Sequence, residues 1–183
     1  RNHYESEVGH FEGAITPDVE TFRESLPIIN EKLQDFKEDK NLLMYCTGGI
    51  RCEKASAYFK HQGFKNVYQL EGGIGTYGKQ FPDKYWKGSL FVFDRRVAAP
   101  INKSKDLVIS NCIHCQDACD VFINCVNAKC NALFICCEKC ANKMENACSK
   151  QCQQHQRNPH EKDYMSMIQR RYASRKAELT SHN

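Results

Sequence analysis

The run Tyr45-Cys46-Thr47-Gly48-Gly49-Ile50-Arg51-Cys52 places a thiol at the end of a short apolar stretch, with glycines and an arginine close behind. Residues 42–45 read as a short buried strand. The residues from Cys52 to 61 read as a helix with Ala55, Tyr58 and Phe59 apolar, and Gly63 is its stop signal. A cysteine at such a strand end lies where open α/β sheets bind ligands. The glycines let backbone N–H groups turn inward as a nest for an anion, and the helix N-terminus adds positive potential. Arg51 adds a full charge. Each factor favours thiolate over thiol, so Cys46 is expected to be a nucleophile with a depressed pKa. An inert buried cysteine would need neither the glycines nor the arginine. Thr47, Gly48, Gly49, Ile50 and Cys52 complete this candidate active-site loop. Cys52 reads either as a resolving thiol for an oxidised Cys46 or as a residue packed beneath the loop.

Twelve cysteines in 183 residues divide the chain unevenly: Cys46 and Cys52 stand alone in the first part, and the other ten lie between Cys112 and Cys152. Eight of them form close pairs, Cys112 with Cys115, Cys125 with Cys130, Cys137 with Cys140, and Cys148 with Cys152. These spacings let two thiolates share one tetrahedral metal, so four pairs make two four-cysteine sites, and zinc suits a set of sulfur donors. Which pair joins which stays open. Cys119 and Cys136 are left over, Cys136 is an alternative to Cys137, and His114 and His155 are alternative ligands. So short a segment has too little apolar bulk for a core, and metal binding would supply its folding energy. A disulfide framework competes with this reading, but a low-pKa thiol fits a reducing cytosol better, which predicts a cytoplasmic protein. The spacing lacks the clustered run of iron–sulfur ferredoxins, and no flavin, haem or nucleotide site is visible.

Helical periodicity over residues 19–36 (Phe22, Leu26, Ile29, Leu33, Phe36) predicts a helix, with Pro27 breaking or kinking it. Residues 67–70 read as a second buried strand closed by Gly72-Gly73, and residues 90–93 as one more. Alternating strands and helices predict an α/β fold with a parallel sheet flanked by helices. Residues 100–105 read as a polar linker. A helix is expected over 161–179, with Tyr164, Ile168 and Tyr172 on one face and Arg171 and Arg175 on another. The chain therefore divides into an α/β domain (1–98), a cysteine-rich metal-binding region (106–155) and a basic helical tail (156–183). Residues 150–183 hold seven basic and three acidic residues and supply the whole net charge of +4. A tail of that kind attracts polyanions such as RNA or forms a solvated helix. No apolar run approaches a membrane span, and no signal peptide is visible.

Three segments resemble the rhodanese family: Gly9-His10-Phe11-Glu12-Gly13-Ala14-Ile15, the loop from Cys46 to Arg51, and Val67-Tyr68-Gln69-Leu70-Glu71-Gly72-Gly73-Ile74. The loop is six residues long. Related cysteine phosphatases set the arginine one residue further on, which disfavours a phosphatase. The loop, Gly78-Lys79, Phe91-Val92-Phe93-Asp94 and Arg96-Val97 are similar to one subgroup, the tRNA uridine(34) hydroxylase family, whose members also carry a cysteine-rich region after the rhodanese domain. The resemblance covers roughly residues 1–155. It implies a rhodanese-like parallel sheet flanked by helices, then a small zinc-binding segment and a C-terminal helix. It implies oxygen-dependent 5-hydroxylation of the wobble uridine, with Cys46 and Arg51 catalytic, molecular oxygen as co-substrate and the tRNA anticodon region as partner. The family's first rhodanese strand with its aspartate, and a small N-terminal ferredoxin-like domain, have no counterpart before Arg1, so the chain reads as part of a longer protein. Two other functions fit the same residues: a sulfurtransferase carrying a Cys46 persulfide, and a zinc-knuckle module binding RNA or protein. His10 reads as a residue that positions backbone. Asp94-Arg95-Arg96 reads as a salt-bridged corner or an RNA contact, and Trp86 as packing or a base-stacking platform.

Overall fold

The computed structural model describes residues 1–102, 108–154 and 161–180, with side chains of the last stretch described from Tyr164 onward. The expected linker residues 103–105 and the alternative ligand His155 lie outside the described residues. Helix α1 (His3–Val8) begins where the Glu5 carboxylate reaches back to the Asn2 backbone N–H at 2.9 Å, and it runs directly into β1 (Gly9–Phe11). Helix α2 (Phe22–Lys32) starts later than the periodicity predicted, because Thr21 and Glu24 cap each other reciprocally. Pro27 does not break it. The bond lost at Pro27 is the one to the Arg23 carbonyl, and both residues are exposed, so water can take the donor's place. A 3-10 turn (Gln34–Phe36) follows.

The next elements are β2 (Asn41–Met44), α3 (Ile50–His61), β3 (Asn66–Gln69) and α4 (Gly73–Gln80). Strands β2 and β3 pair in parallel, with Leu42 opposite Val67. The α2 and α3 side chains Leu26, Ile29, Ala55 and Phe59 pack with Leu42, Met44 and Val67 into one apolar core. Both strands were expected to be fully buried, but the other face of the pair exposes Leu43 and Tyr68, which sit opposite each other. Alternate residues of a strand point to opposite faces, and among the described residues the helical cover lies on one face alone.

Among the described residues the parallel arrangement is confined to β2 and β3. Strands β1, β4 (Trp86–Phe91) and β5 (Ala98–Pro100) form a separate antiparallel sheet in the order β1-β4-β5. The strand expected at 90–93 is thus shifted: it begins at Trp86 and ends at Phe91. The chain then reverses, as the Val92 N–H bonds the Val97 carbonyl at 2.8 Å and Val97 adopts φ 64°. Trp86 is fully buried and donates its indole N–H to the Gly88 carbonyl at 3.0 Å, which removes it as a base-stacking platform. Pro100, expected in the linker, closes β5.

The cysteine-rich part holds the hairpin β6 (Phe122–Asn124) and β7 (Leu133–Ile135), then α5 (Glu138–Lys143) and α6 (Lys150–Gln153). Helix α7 (Glu161–Thr180) closes the described chain. One core joins Val8 and Phe91 to Phe122, Ile123, Ile135 and Ile168. The apolar face of α7 docks as its periodicity indicated: Tyr172 donates to the Cys136 carbonyl at 2.8 Å and Tyr164 to the Asn124 carbonyl at 2.9 Å. Arg171 and Arg175 are not freely solvated, however. Arg175 is buried and donates from Nε to Asp120 at 2.8 Å, while Ser89 donates to the same carboxylate at 2.6 Å. Arg175→Ala would leave Asp120 buried without its counter-charge, at a cost of about 3–5 kcal/mol. Thermal unfolding should then show a melting temperature roughly 10 °C lower. An unchanged transition would mean that α7 docks through its tyrosines alone. Among the described residues no helix is long and apolar enough to cross a membrane.

Candidate functional site: a nested thiol and two cysteine clusters

The Cys46 sulfur, on a residue 5 % exposed, lies in the turn between β2 and α3. The turn is possible because Gly49, the cap of α3, adopts φ 91°, a conformation that favours glycine. It is held from outside by the start of α4. The Ile74 N–H donates to the Cys46 carbonyl at 3.0 Å, and the Gly75 N–H to the Thr47 carbonyl at 3.1 Å. Gly73 sits so close that a Cβ there would fall 2.6 Å from both carbonyl oxygens. With these carbonyls drawn towards α4, the loop amides face the sulfur. The Gly49 N–H donates to Cys46 Sγ at 3.0 Å.

This nest holds Cys46 at a pKa of about 4: the Cys52 S–H bond is the largest cause, burial opposes it, and the amides of Cys52, Arg51 and Gly49 outweigh the burial. The same bond, with burial, pushes the Cys52 thiol up, so it stays protonated and donating. Replacing Cys52 by alanine removes that donor, and the pH midpoint of Cys46 alkylation, followed on the mapped peptide, should rise by about one to two pH units. Cys52→Ser, which keeps an O–H, should restore most of the difference. Equal midpoints in all three proteins would show that the amides alone hold the charge.

The guanidinium of Arg51 is turned towards Glu5, bonding its two carboxylate oxygens at 2.6 and 2.7 Å. Glu5 is fully buried; burial raises its pKa, but Arg51, the charge of Arg1 and the Asn2 amide together hold it below the usual carboxylate range. Arg1 donates to Thr47 Oγ1 at 2.7 Å. Arg51 therefore reaches Cys46 with its charge partly shared. Glu5 and Arg1 were missed in the sequence; the signal available was that a loop arginine held among packed elements needs a carboxylate. Ile50 and Phe93 stand exposed beside the loop, with the Arg51 guanidinium over the Phe93 ring at 5.7 Å. His10 bonds the carbonyl of its own neighbour Phe11 at 3.1 Å, as a positioning residue would.

None of the twelve cysteines is joined in a disulfide. Eight form two clusters, Cys112 with Cys115, Cys137 and Cys140, and Cys125 with Cys130, Cys148 and Cys152, each with its sulfurs within 4.8 Å of one another. The pairs interleave, first with third and second with fourth. The Cys115–Cys137, Cys130–Cys148 and Cys148–Cys152 sulfurs are 3.7 Å apart. That separation is far from a disulfide bond. It matches the edge of about 3.8 Å expected for four sulfurs placed tetrahedrally about 2.3 Å from one ion. The donor set thus fits a metal ion in each cluster. Cys119 and Cys136 stand outside both clusters; burial pushes both thiols up, that of Cys119 to about 12. His114 is also outside, with Nε2 3.2 Å from the Ala147 carbonyl.

Two family models match the chain, the rhodanese-like domain over residues 1–80 and the rhodanase C-terminal region over residues 87–153. A Photorhabdus laumondii protein named tRNA uridine(34) hydroxylase is 52% identical over 163 residues, covering 87% of this chain and 45% of that protein. A Chlamydia felis protein of the same name is 48% identical over 158 residues, covering 84% of this chain and 48% of the relative. One from Pectobacterium atrosepticum is 51% identical over 164 residues, covering 87% and 45% respectively. The chain spans about half the length of the curated relatives it matches. The nested thiol, the paired cysteine clusters and this likeness over most of its length agree, and the chain belongs to the tRNA uridine(34) hydroxylase family of rhodanese-domain proteins.

Proposed function

We propose that this chain belongs to a tRNA-modifying enzyme that hydroxylates carbon 5 of the wobble uridine, with Cys46 as its nucleophile and Arg51 and the loop amides as its anion-holding groups. The observation that carries the reading is a cysteine sulfur that accepts the Gly49 N–H at 3.0 Å in a loop that favours its thiolate, in a chain whose relatives are named tRNA uridine(34) hydroxylase. The thiolate adds to uracil carbon 6, forming a C–S bond and moving the ring double-bond electrons to carbon 5 as an enolate. Carbon 5 then takes an electrophilic oxygen atom from molecular oxygen, and an external two-electron donor with two protons reduces the second atom to water. Loss of the carbon 5 proton expels the sulfur and restores the ring double bond. Sulfur leaves as an anion, and the Gly49, Arg51 and Cys52 amides stabilise it as it departs. The two cysteine clusters would hold zinc as a structural ion, which draws the surrounding segment into a fold.

Nucleoside mass spectrometry tests this on tRNA from cells lacking the gene, complemented with wild type or Cys46→Ser. Return of 5-hydroxyuridine-derived wobble nucleosides with wild type alone is expected. If a thiolated nucleoside responds instead, the protein is a sulfur carrier. That second reading draws on the six-residue loop and the rhodanese-like match, since the same nest would hold a Cys46 persulfide. Thiosulfate treatment would then add the mass of one sulfur to the Cys46 peptide.

A further inference from the structure

We infer that the Asp94-Arg95-Arg96 corner and helix α7 form a cleft that binds RNA phosphodiesters beside the Cys46 loop, with the exposed ring of Phe93 stacking a base between them. The inference rests on the tRNA reading above and names the residues that would hold the RNA.

The cleft has a volume of about 410 Å³ and is lined by Arg95, Arg96, Arg170, Arg171 and Arg175, against the acidic residues Asp120 and Glu178. The charges are not equivalent. Asp120 is buried beneath Arg175, and Arg175 also reaches Glu178 at 3.3 Å. Arg171 holds the cleft together. Its Nε donates to the Arg95 carbonyl at 3.1 Å and its Nη1 to the Phe122 carbonyl at 2.8 Å, which ties α7 to the corner. Arg96 is folded onto Asp94 at 2.6 Å. Arg95 and Arg170 are exposed, and among the described residues no carboxylate pairs with either. Among the described residues two guanidiniums without a carboxylate partner thus line one cleft, Arg95 from the corner and Arg170 from α7, which suits bidentate capture of a phosphate.

The segment that leads into the corner touches the thiol loop. Thr47 Oγ1 lies 3.4 Å from the Phe91 carbonyl, and the Arg51 guanidinium stands over the Phe93 ring. Phe93 is 69 % exposed and precedes Arg95 by two residues. A large exposed aromatic ring beside Arg51 and two residues before Arg95 suits single-stranded RNA, whose bases stack on such rings while the backbone follows the charge.

The test is binding of the intact protein to an unmodified anticodon stem-loop RNA with uridine at the wobble position, by fluorescence anisotropy across a salt series. Arg95→Ala/Arg170→Ala should weaken binding roughly tenfold at low salt and lower the salt slope by roughly 0.7–0.9 for each phosphate no longer neutralised. Phe93→Ala should weaken binding by a similar factor, roughly tenfold, and leave the slope unchanged. Lys32→Ala/Lys60→Ala, on α2 and α3, removes the same charge elsewhere and should leave affinity near wild type. The inference is overturned if the arginine pair behaves like the lysine pair, or if the intact protein does not bind the RNA; the cleft would then be open to an acidic protein surface instead. Binding needs no turnover. Arginine-dependent binding by a protein that never forms 5-hydroxyuridine would keep the cleft and discard the hydroxylase reading. Unchanged KM for tRNA in a hydroxylating arginine double variant would do the reverse.

Discussion

Cys46→Ser is expected to lose at least about a thousandfold in hydroxylation rate while keeping its fold. The serine hydroxyl would meet the same amides that hold the sulfur at about 4, but an alcohol stays protonated at any pH the protein survives. Covalent addition is the step lost, so the effect belongs in kcat and not in tRNA affinity. A stem-loop carrying 5-fluorouridine should trap wild type as a stable adduct, because fluorine at carbon 5 cannot leave as the proton does; the adduct should map to Cys46 and be absent in Cys46→Ser. The pH dependence follows from the direction of the shift. A thiol whose pKa is depressed to about 4 is already ionised at neutral pH, so adduct formation should be flat from about pH 6 to 8 and fall only as pH drops towards about 4. A rate that climbs through pH 8 to 9 would instead describe an ordinary thiol and would sink the nucleophile assignment.

The thiol loop was legible because all it needs lies within a few residues: a strand end, two glycines, an arginine and the start of a helix. Its supports were not, because they come from elsewhere in the chain. Glu5 and Arg51 are separated by 46 positions, and Arg1 and Thr47 by the same number. The α4 amides that draw the loop carbonyls outward begin at a Gly72-Gly73 pair that marks a turn in the sequence without revealing what the turn touches. A similar limit applies to the sheets. Strands β1, β5, β6 and β7 have three residues each, too few to display an alternating pattern, and β1 finds its partner at Gly88 only through long-range pairing. Hence the parallel pair was readable and the antiparallel sheet was not.

The basic tail illustrates how charge misleads when read without packing. Arg171 and Arg175 carry part of the positive excess, yet one ties α7 to backbone carbonyls and the other is buried against Asp120. Of the arginines that line the cleft, Arg95 and Arg170 have no carboxylate partner among the described residues, and only the first of them lies in a motif that the sequence singled out. For the cysteines, spacing identified which residues pair locally. The joining of pairs depended on the β6–β7 hairpin, which carries Cys125 and Cys130 past the first cluster to meet Cys148 and Cys152.

Removing the metal expected in those clusters should unfold the cysteine-rich part and release α7 while the parallel β2–β3 layer stays folded. The asymmetry comes from where the apolar groups lie. The α2–α3 layer has its own core of Phe59, Phe64, Val67 and Leu26, with no cysteine in it. The other core counts Cys112, Cys119, Cys125 and Cys136 among its buried members, and the helices and strands around them have three to six residues. Elements that short do not persist without a cross-link, and a structural zinc site contributes about 10–16 kcal/mol in small domains. Helix α7 would follow, since Tyr172, Tyr164 and Arg171 all bond backbone carbonyls of that part. Metal analysis should find two zinc ions per chain. After chelation, hydrogen exchange should lose protection over residues 108–154 and 164–180 and keep it in α3 and β3. Cys125→Ser should reproduce half of the metal loss, whereas Cys119→Ser, outside both clusters, should keep both ions. Full protection in a protein shown to carry no metal would mean that the eight thiols pack as a core by themselves, and the zinc assignment would fall with it.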